Sequence, residues 1–248
     1  TMLNEQGWAV TQDSNYEDII YINSHRGSLE KSEAFIKGYI TFMDKASMLV
    51  ARLVNPQPGE RILDCCAAPG GKSMYMATLM DNVGSLMSCD IHEHKIELMN
   101  SNADRLGASI VHTKVQDATK LPDSWNSYFD RVLVDAPCSG LGILQKKLDM
   151  RWRKQESILS ELPPLQLAIL ERAAMTVKEK GYLIYSTCTL NYKENEEVVE
   201  SFLQKHKEFS IIPVADDFPL KSNSGMITTY PPTDDMDGFF MVKMQRIS

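Results

Sequence analysis

Two cysteines stand where side chains can do chemistry. Cys138 closes Asp135-Ala-Pro-Cys138 and Cys188 closes Ser186-Thr-Cys188, each just beyond an apolar run that reads as a strand. A buried cysteine is ordinarily an inert small hydrophobe, and Cys65 and Cys89 are read that way. Two thiols beyond neighbouring strands and facing one pocket are a different case, because a thiolate is the nucleophile of covalent catalysis. Acids occupy three further strand ends. Asp90 lies about twenty residues beyond a glycine turn, where an acid can accept both hydroxyls of a ribose or cap the next helix. Asp117 can face an adenine amino group or make an Asx-turn. Asp135 opens the Cys138 segment.

The turn that precedes these acids is Cys66-Ala67-Ala68-Pro69-Gly70-Gly71-Lys72. Small side chains let a ligand approach the backbone, and Pro69 stiffens the turn. The helix that follows offers free N–H groups and the positive end of its dipole. The glycine spacing to Lys72 is wrong for a phosphate-binding P-loop, and Gly70-Gly71 does not complete G-x-G-x-x-G. The turn alone does not name its ligand.

Those residues need a scaffold that brings strand ends together. From Pro58-Gly59 onward strands and helices alternate. The expected strands are Arg61–Cys66, Ser85–Asp90, Ser109–Thr113, Asp130–Asp135 and Gly181–Cys188. The expected helices are Lys72–Met80, Glu93–Leu106 with Gly107 as its C-cap, one centred on Leu165–Lys178, and an acidic one running from Asn191 to about Lys205. The chain closes on two strands, Met226–Tyr230 and Gly238–Gln245, with no helix between them. This is an open α/β sheet of about seven strands, mostly parallel, with one antiparallel strand at the edge and helices on both faces. Ligands of such sheets sit outside the carboxyl ends of the strands, where all the residues above fall. Before this pattern, Phe42–Val54 has helical spacing and stops at Asn55-Pro56. Residues 25 to 42 read as strands and turns around Gly27 and Gly38. Residues 1–42 read as part of a small N-terminal subdomain of a longer protein, and 43–248 as the main domain.

The 248 residues carry 43% hydrophobic and 24% charged side chains, ordinary for a globular protein. No apolar run is long enough to cross a bilayer as a helix. Five cysteines, with no C-x-x-C pair, argue against a disulfide framework and a structural zinc site. A reducing cytoplasm suits them. The net charge of −7 argues mildly against nucleic acid, but Lys146, Lys147, Arg151, Arg153 and Lys154 crowd around Trp152. Cations interleaved with an aromatic suit a single-stranded RNA contact as well as a solvated surface.

Asp64-Cys-Cys-Ala-Ala-Pro-Gly-Gly-Lys72, Asp135-Ala-Pro-Cys-Ser-Gly140 and Tyr185-Ser-Thr-Cys-Thr-Leu190 resemble, in order, the signature motifs of the Sun/Nop family of RNA cytosine-5 methyltransferases, nearest its RsmB-type branch that acts on 16S ribosomal RNA. The likeness runs from about Phe42 to Asp237-Gly-Phe-Phe240. It implies a Rossmann-like class I methyltransferase fold, S-adenosylmethionine as methyl donor, RNA as partner, and no metal. It also implies roles. Cys66 to Lys72 line the methionine and sugar end, Asp90 takes the ribose hydroxyls and Asp117 lies by the adenine. Asp135 sits between donor and target base, Cys188 is the nucleophile, and Cys138 helps release the product. The family often has a proline before the acid where this chain has Leu148-Asp149. Transfer RNA is an alternative substrate, since the motifs describe cofactor and base only. A non-catalytic cofactor-binding module for ribosome assembly is the alternative from another class. A monomer is expected.

Overall fold

Ile62 and Leu63 are both fully buried, yet they pack into different hydrophobic clusters. Side chains alternate across a strand, so this strand is covered on both faces, as a parallel sheet requires. The computed structural model, which describes residues 2–24, 27–146, 158–215, 218–220, 222 and 224–248, is organised around that sheet. Its strands are β3 (Arg61–Asp64), β4 (Ser85–Asp90), β5 (Val111–Val115), β6 (Phe129–Asp135), β7 (Val177–Thr187), β8 (Phe209–Ile211), β9 (Met226–Thr228) and β10 (Phe240–Arg246). A separate hairpin pairs β1 (Ala9–Gln12) with β2 (Ile20–Ser24). Helices α1 (Met2–Glu5) and α2 (Glu33–Ile36) belong to the N-terminal part. Helices α3 (Lys45–Val54), α4 (Gly71–Leu79) and α5 (Glu93–Leu106) pack on one face of the large sheet, with Leu49, Met76 and Met99 fully buried against it. Helices α6 (Ile158–Ala174) and α7 (Glu196–Lys205) cover the other, through Leu170, Ala173, Val199 and Phe202. A short helix α8 (Pro231–Asp234) links the last two strands.

The sheet runs β5-β4-β3-β6-β7-β10-β8, with β9 also paired to β10. The first five strands are parallel, while β10 is antiparallel to β7, β8 and β9. The antiparallel strand expected at the edge thus lies one place inside it. β9 pairs with the start of β10 and β8 with its end, which makes an eighth strand. Nothing in the sequence marks β8, because three residues, Phe209–Ile211, are too few to show a period.

Segment bounds differ where side-chain chemistry overrides pattern. Residues 25 to 42 were read as strands and turns, but the described part folds as a 3₁₀ turn, Leu29–Lys31, and then α2. Ser32 Oγ caps α2 by accepting from Phe35 N at 3.2 Å. The helix expected to reach Lys178 stops at Ala174, and Val177–Lys180 joins β7. Asn191 caps a 3₁₀ turn, Tyr192–Glu194, and α7 begins only at Glu196.

The N-terminal part has a small cluster of its own, Leu3, Trp8, Leu29 and Ala34. Arg105 holds it to α5, donating to the main-chain oxygens of Phe35 and Ile40 and stacking 3.9 Å over the Phe35 ring.

At the other end of the sheet, Lys243 is pulled down to about 8 by burial first and then by Arg131. The folded state therefore prefers the neutral amine. Between about pH 8 and the ordinary lysine value the unfolded chain binds more protons, so stability rises with pH there, and below pH 8 the cost is complete. Lys243 shares the carbonyl of Val54 with Arg131, so that acceptor keeps a partner without it. Lys243→Met is expected to stabilise the fold at pH 7 by about 1–2 kcal/mol, with the gain shrinking toward pH 10. Chemical denaturation at both pH values measures this, and a less stable variant at pH 7 contradicts it.

Candidate active site

The glycine turn is built as the residue types require. After β3, Cys65 N donates to Leu133 O, Ala67 N to Cys89 O, and Gly70 N to Ala67 O. Gly70 has φ 101°, and a Cβ there would lie 3.0 Å from Met99, so glycine is needed for both backbone and space. Beneath the turn, Asp64 is fully buried and accepts from Ser73 Oγ at 2.7 Å, which accepts in turn from Ser88 Oγ at 2.8 Å. Burial pushes the Asp64 carboxyl up to about 7.

A cleft of about 460 Å³ opens at the carboxyl ends of the strands, a size usual for small-molecule sites. Cys66, Ala68, Asp90, Asp117, Asp135, Cys138 and Cys188 all line it. Ala67, Pro69, Gly70, Gly71 and Lys72 shape the turn and the start of α4 without lining the cleft. Asp90 is nearly buried, and its Oδ1 accepts from His92 N at 2.9 Å. Asp117 Oδ1 accepts from both Thr119 N and Thr119 Oγ1, and these bonds, Thr119's hydroxyl first, hold its carboxyl below the usual range. Asp90 thus makes an Asx-turn and Asp117 caps the 3₁₀ turn Ala118–Lys120, local bonds that any α/β protein could contain, and both still face the cleft. Ile91, His92, Ala118, Ala136, Pro137, Leu165 and Ile169 are among the other residues of the wall. Most of these are neighbours in sequence of the acids and cysteines. Leu165 and Ile169 come from α6 and carry no signal beyond helical spacing.

The two cysteines meet. Cys138 Sγ lies 3.2 Å from Cys188 Sγ and 3.3 Å from Cys188 N. The hydrogen bond with Cys188, and then burial, push the Cys138 thiol well above the ordinary value, so Cys138 keeps its proton and can donate it toward Cys188. Beside the pair, Lys72 Nζ donates to Asp135 Oδ2 at 2.7 Å and Ser186 Oγ donates to Asp135 Oδ1 at 2.8 Å. Burial pulls Lys72 down, but Asp135, then Asp64 and Cys188, more than offset it and hold the ammonium. Burial raises the other three thiols: Cys65 and Cys66 well above the ordinary value, Cys89 to about 12. Thiols held protonated are poor nucleophiles.

A family model described as 16S rRNA methyltransferase RsmB/F matches residues 51–245. This chain belongs to the RsmB/F family. It is 41% identical over 227 residues to the probable ribosomal RNA small subunit methyltransferase B of Bacillus subtilis, covering 89% of this chain and 51% of that protein. The corresponding Synechocystis protein is 38% identical over 228 residues, with 89% and 50% covered. Among solved structures, NSun6 from Pyrococcus horikoshii, crystallised with SFG, superposes with a TM-score of 0.80 at 31% identity, covering 90% of this chain and 57% of that one. A methyltransferase homologue from the same organism gives 0.83 at 25% identity, covering 98% and 80%. The chain spans about half the length of the ribosomal RNA methyltransferases it matches.

The site also includes residues that no local pattern singles out. Gly142 N donates to Cys188 O at 3.0 Å, and Gly142 O accepts from Gly238 N at 2.9 Å. A Cβ on Gly142 would sit 1.9 Å from Gly238 O. The Asp237-Gly-Phe-Phe240 ending is thus packed against the Cys188 loop, backbone to backbone. Of the basic cluster, Lys147, Arg151, Trp152, Arg153 and Lys154 lie outside the described residues, as do Leu148 and Asp149. Lys146 is ion-paired with Asp44 and with Asp237, the latter at 3.0 Å. No helix among the described residues is long and apolar enough to cross a membrane.

Proposed function

We propose that this chain transfers a methyl group from S-adenosylmethionine to carbon-5 of a cytosine in RNA, with small-subunit ribosomal RNA as the target. The observation that carries the reading is a pair of thiols 3.2 Å apart in the same cleft as three strand-end acids. The cleft fits the donor chemically. Asp90 and Asp117 are acceptors for hydroxyl and amino groups and use Oδ1 in their own turns. Ile91, Ala118 and Pro137 offer an apolar wall for a flat base, and Cys66 and Ala68 bring the turn to the cleft. Bound there, S-adenosylmethionine supplies an electrophilic methyl group.

The chain's own residues do the rest. Carbon-5 of cytosine is too electron-poor to attack a methyl group unaided. Cys188 as thiolate forms a bond to carbon-6, and the displaced electron pair makes carbon-5 nucleophilic while ring nitrogen-3 takes a proton. Asp135 accepts from the Lys72 ammonium and from the Ser186 hydroxyl, so each of its oxygens faces a proton donor. The proton for nitrogen-3 is then supplied through the Lys72–Asp135 pair. After methylation, carbon-5 carries the methyl group and its original proton. A water oriented by the Cys138 thiol takes that proton. The electron pair reforms the 5–6 double bond, the Cys188–carbon-6 bond breaks to return the thiolate, and nitrogen-3 gives its proton back to the Lys72–Asp135 pair. The Lys72 charge that interacts with Cys188 lowers the cost of that thiolate.

A base must leave its stack to reach both thiols, which favours looped or single-stranded RNA. Residues 43–248 form the methyltransferase domain in this reading, and 1–42 part of an RNA-binding subdomain with Tyr39 and Phe42 exposed for stacking. The enzyme works in the cytoplasm, where thiols stay reduced.

Calorimetric titration of S-adenosylmethionine into the chain is expected to give micromolar binding, weakened at least about 30-fold in Asp90→Ala by loss of a hydrogen-bonded charge, on the order of 2 kcal/mol. Folded protein that binds no donor sinks the reading.

A further inference from the structure

The two thiols sit on separate loops, and both loops are fastened to one carboxylate. Glu194 is fully buried. Its Oε2 accepts from Ser139 N at 2.7 Å and from Gln166 Nε2 at 3.1 Å, and its Oε1 accepts from Asn191 Nδ2 at 2.9 Å. Gln166 Nε2 also donates to Pro137 O at 3.0 Å. The residues on either side of Cys138 are thus held directly, or through one amide, by Glu194. On the other loop, Asn191 follows Cys188 by three residues. Ser139 Oγ and Thr189 Oγ1 join the loops at 2.7 Å. Glu194 itself is fixed by its main-chain carbonyl, which accepts from Tyr185 OH at 2.6 Å on the strand leading to Cys188. All three groups around the carboxylate are donors, which suits a side chain that only accepts. Burying a carboxylate is costly unless it is hydrogen-bonded in this way. A tie with no use for two loops is a poor reason to bear that cost.

We infer that Glu194 is a positioning residue that sets the spacing of Cys138 and Cys188, and through it the balance between forming the covalent RNA adduct and releasing it. The second half rests on the two-thiol reading above; the first half does not. Glutamine at this position has one acceptor oxygen and one donor amide, so at least one of the three donors would face a donor. The Cys138 loop would shift to relieve it, and a misplacement of about 1 Å can cost about 100-fold in rate.

The test uses the full chain as wild type, Glu194→Gln and Asn191→Ala. Melting curves establish folding. The first readout needs no RNA. Diamide takes two electrons and two protons from the thiol pair and becomes a hydrazine, leaving a Cys138–Cys188 disulfide that peptide mapping locates. Wild type is expected to couple quickly, Glu194→Gln at least about 10-fold more slowly, and Asn191→Ala between them. The second readout is methylation of a cytosine-containing ribosomal RNA fragment. In Glu194→Gln, kcat is expected to fall about 10- to 100-fold with KM for the methyl donor unchanged, and a larger share of the enzyme to run as a covalent adduct on a denaturing gel. A merely structural loss lowers the melting temperature without moving that share. Wild-type coupling and methylation rates in Glu194→Gln overturn the inference. If that variant does not fold, unchanged rates in Asn191→Ala overturn it. Slowed coupling with no methylation by any form, wild type included, keeps the spacing role and discards the RNA reading.

Discussion

Cys188→Ala is expected to abolish methyl transfer, and Cys138→Ala to leave the chemistry but trap its product. The first change removes the group that adds to carbon-6 in the proposed mechanism. Deleting a nucleophile whose partners cannot work without it costs at least about 10⁴-fold, or roughly 5.5 kcal/mol of barrier. The second change leaves Cys188 beside Lys72 and Asp135, so addition and methylation proceed. Proton removal from carbon-5 is then slow, and the enzyme accumulates as an RNA adduct that survives denaturing electrophoresis. The asymmetry follows from the surroundings of the two thiols: Cys138 is pushed well above the ordinary thiol value by its contact with Cys188 and by burial, whereas the Lys72 charge interacts with Cys188. Donor affinity should change little in either variant, because Asp90 and Asp117 are untouched. Cys89→Ala serves as the control. Cys89 is fully buried with its thiol pushed up to about 12, so its loss should affect stability and not turnover. An adduct that accumulates in Cys188→Ala instead would exchange the two roles. Full activity in both variants would end the covalent mechanism.

What could be read from the sequence was local. β4, Ser85–Asp90, and α5, Glu93–Leu106, have the expected bounds, because an apolar run ends in an acid and a helix ends on Gly107 in the left-handed region. The cleft-facing acids and both cysteines were legible for the same reason: each follows directly on a strand. Residues that act by meeting another part of the chain were not. Gly142 and Gly238 look like any two glycines until their backbones touch. Glu194 stands in a run of glutamates that reads as a solvated helix face. Its one signal is that it precedes buried Val198 and Phe202 by four and eight residues, which places it on their side. Lys72 closes the turn motif, but that its side chain donates to Asp135 and Ser47 is shown by no motif.

Lys72→Met is therefore expected to damage both catalysis and stability, by separable routes. Its ammonium is the positive charge beside two acids, Asp135 at 2.7 Å and the buried Asp64. Removing one partner of a largely buried pair leaves the other uncompensated, at a cost of about 3 kcal/mol. The pH dependence identifies the cause. Lys72 is raised above its ordinary value in the folded state, so its contribution is complete below about pH 10 and is lost as pH climbs through the folded value. Asp64 is raised to about 7: the folded state binds its proton more tightly, so Asp64's own contribution to wild-type stability falls from about pH 4 to pH 7 and then levels off. Without Lys72, whose charge favours ionised Asp64, that decline should steepen and extend above pH 7. Denaturation at pH 5, 7 and 9 measures it. Adding Asp135→Asn removes the stranded charge and should return most of the lost stability, since a matched neutral pair replaces an unmatched one. It cannot return activity. With neither an ammonium to favour the Cys188 thiolate nor a carboxylate pair to deliver a proton to the base, turnover should stay down by about 10²–10³-fold. Recovery of activity in the double variant would show that Lys72 acts only by holding Asp135 in the fold, and the source of the Cys188 thiolate would then have to be another group lining the cleft.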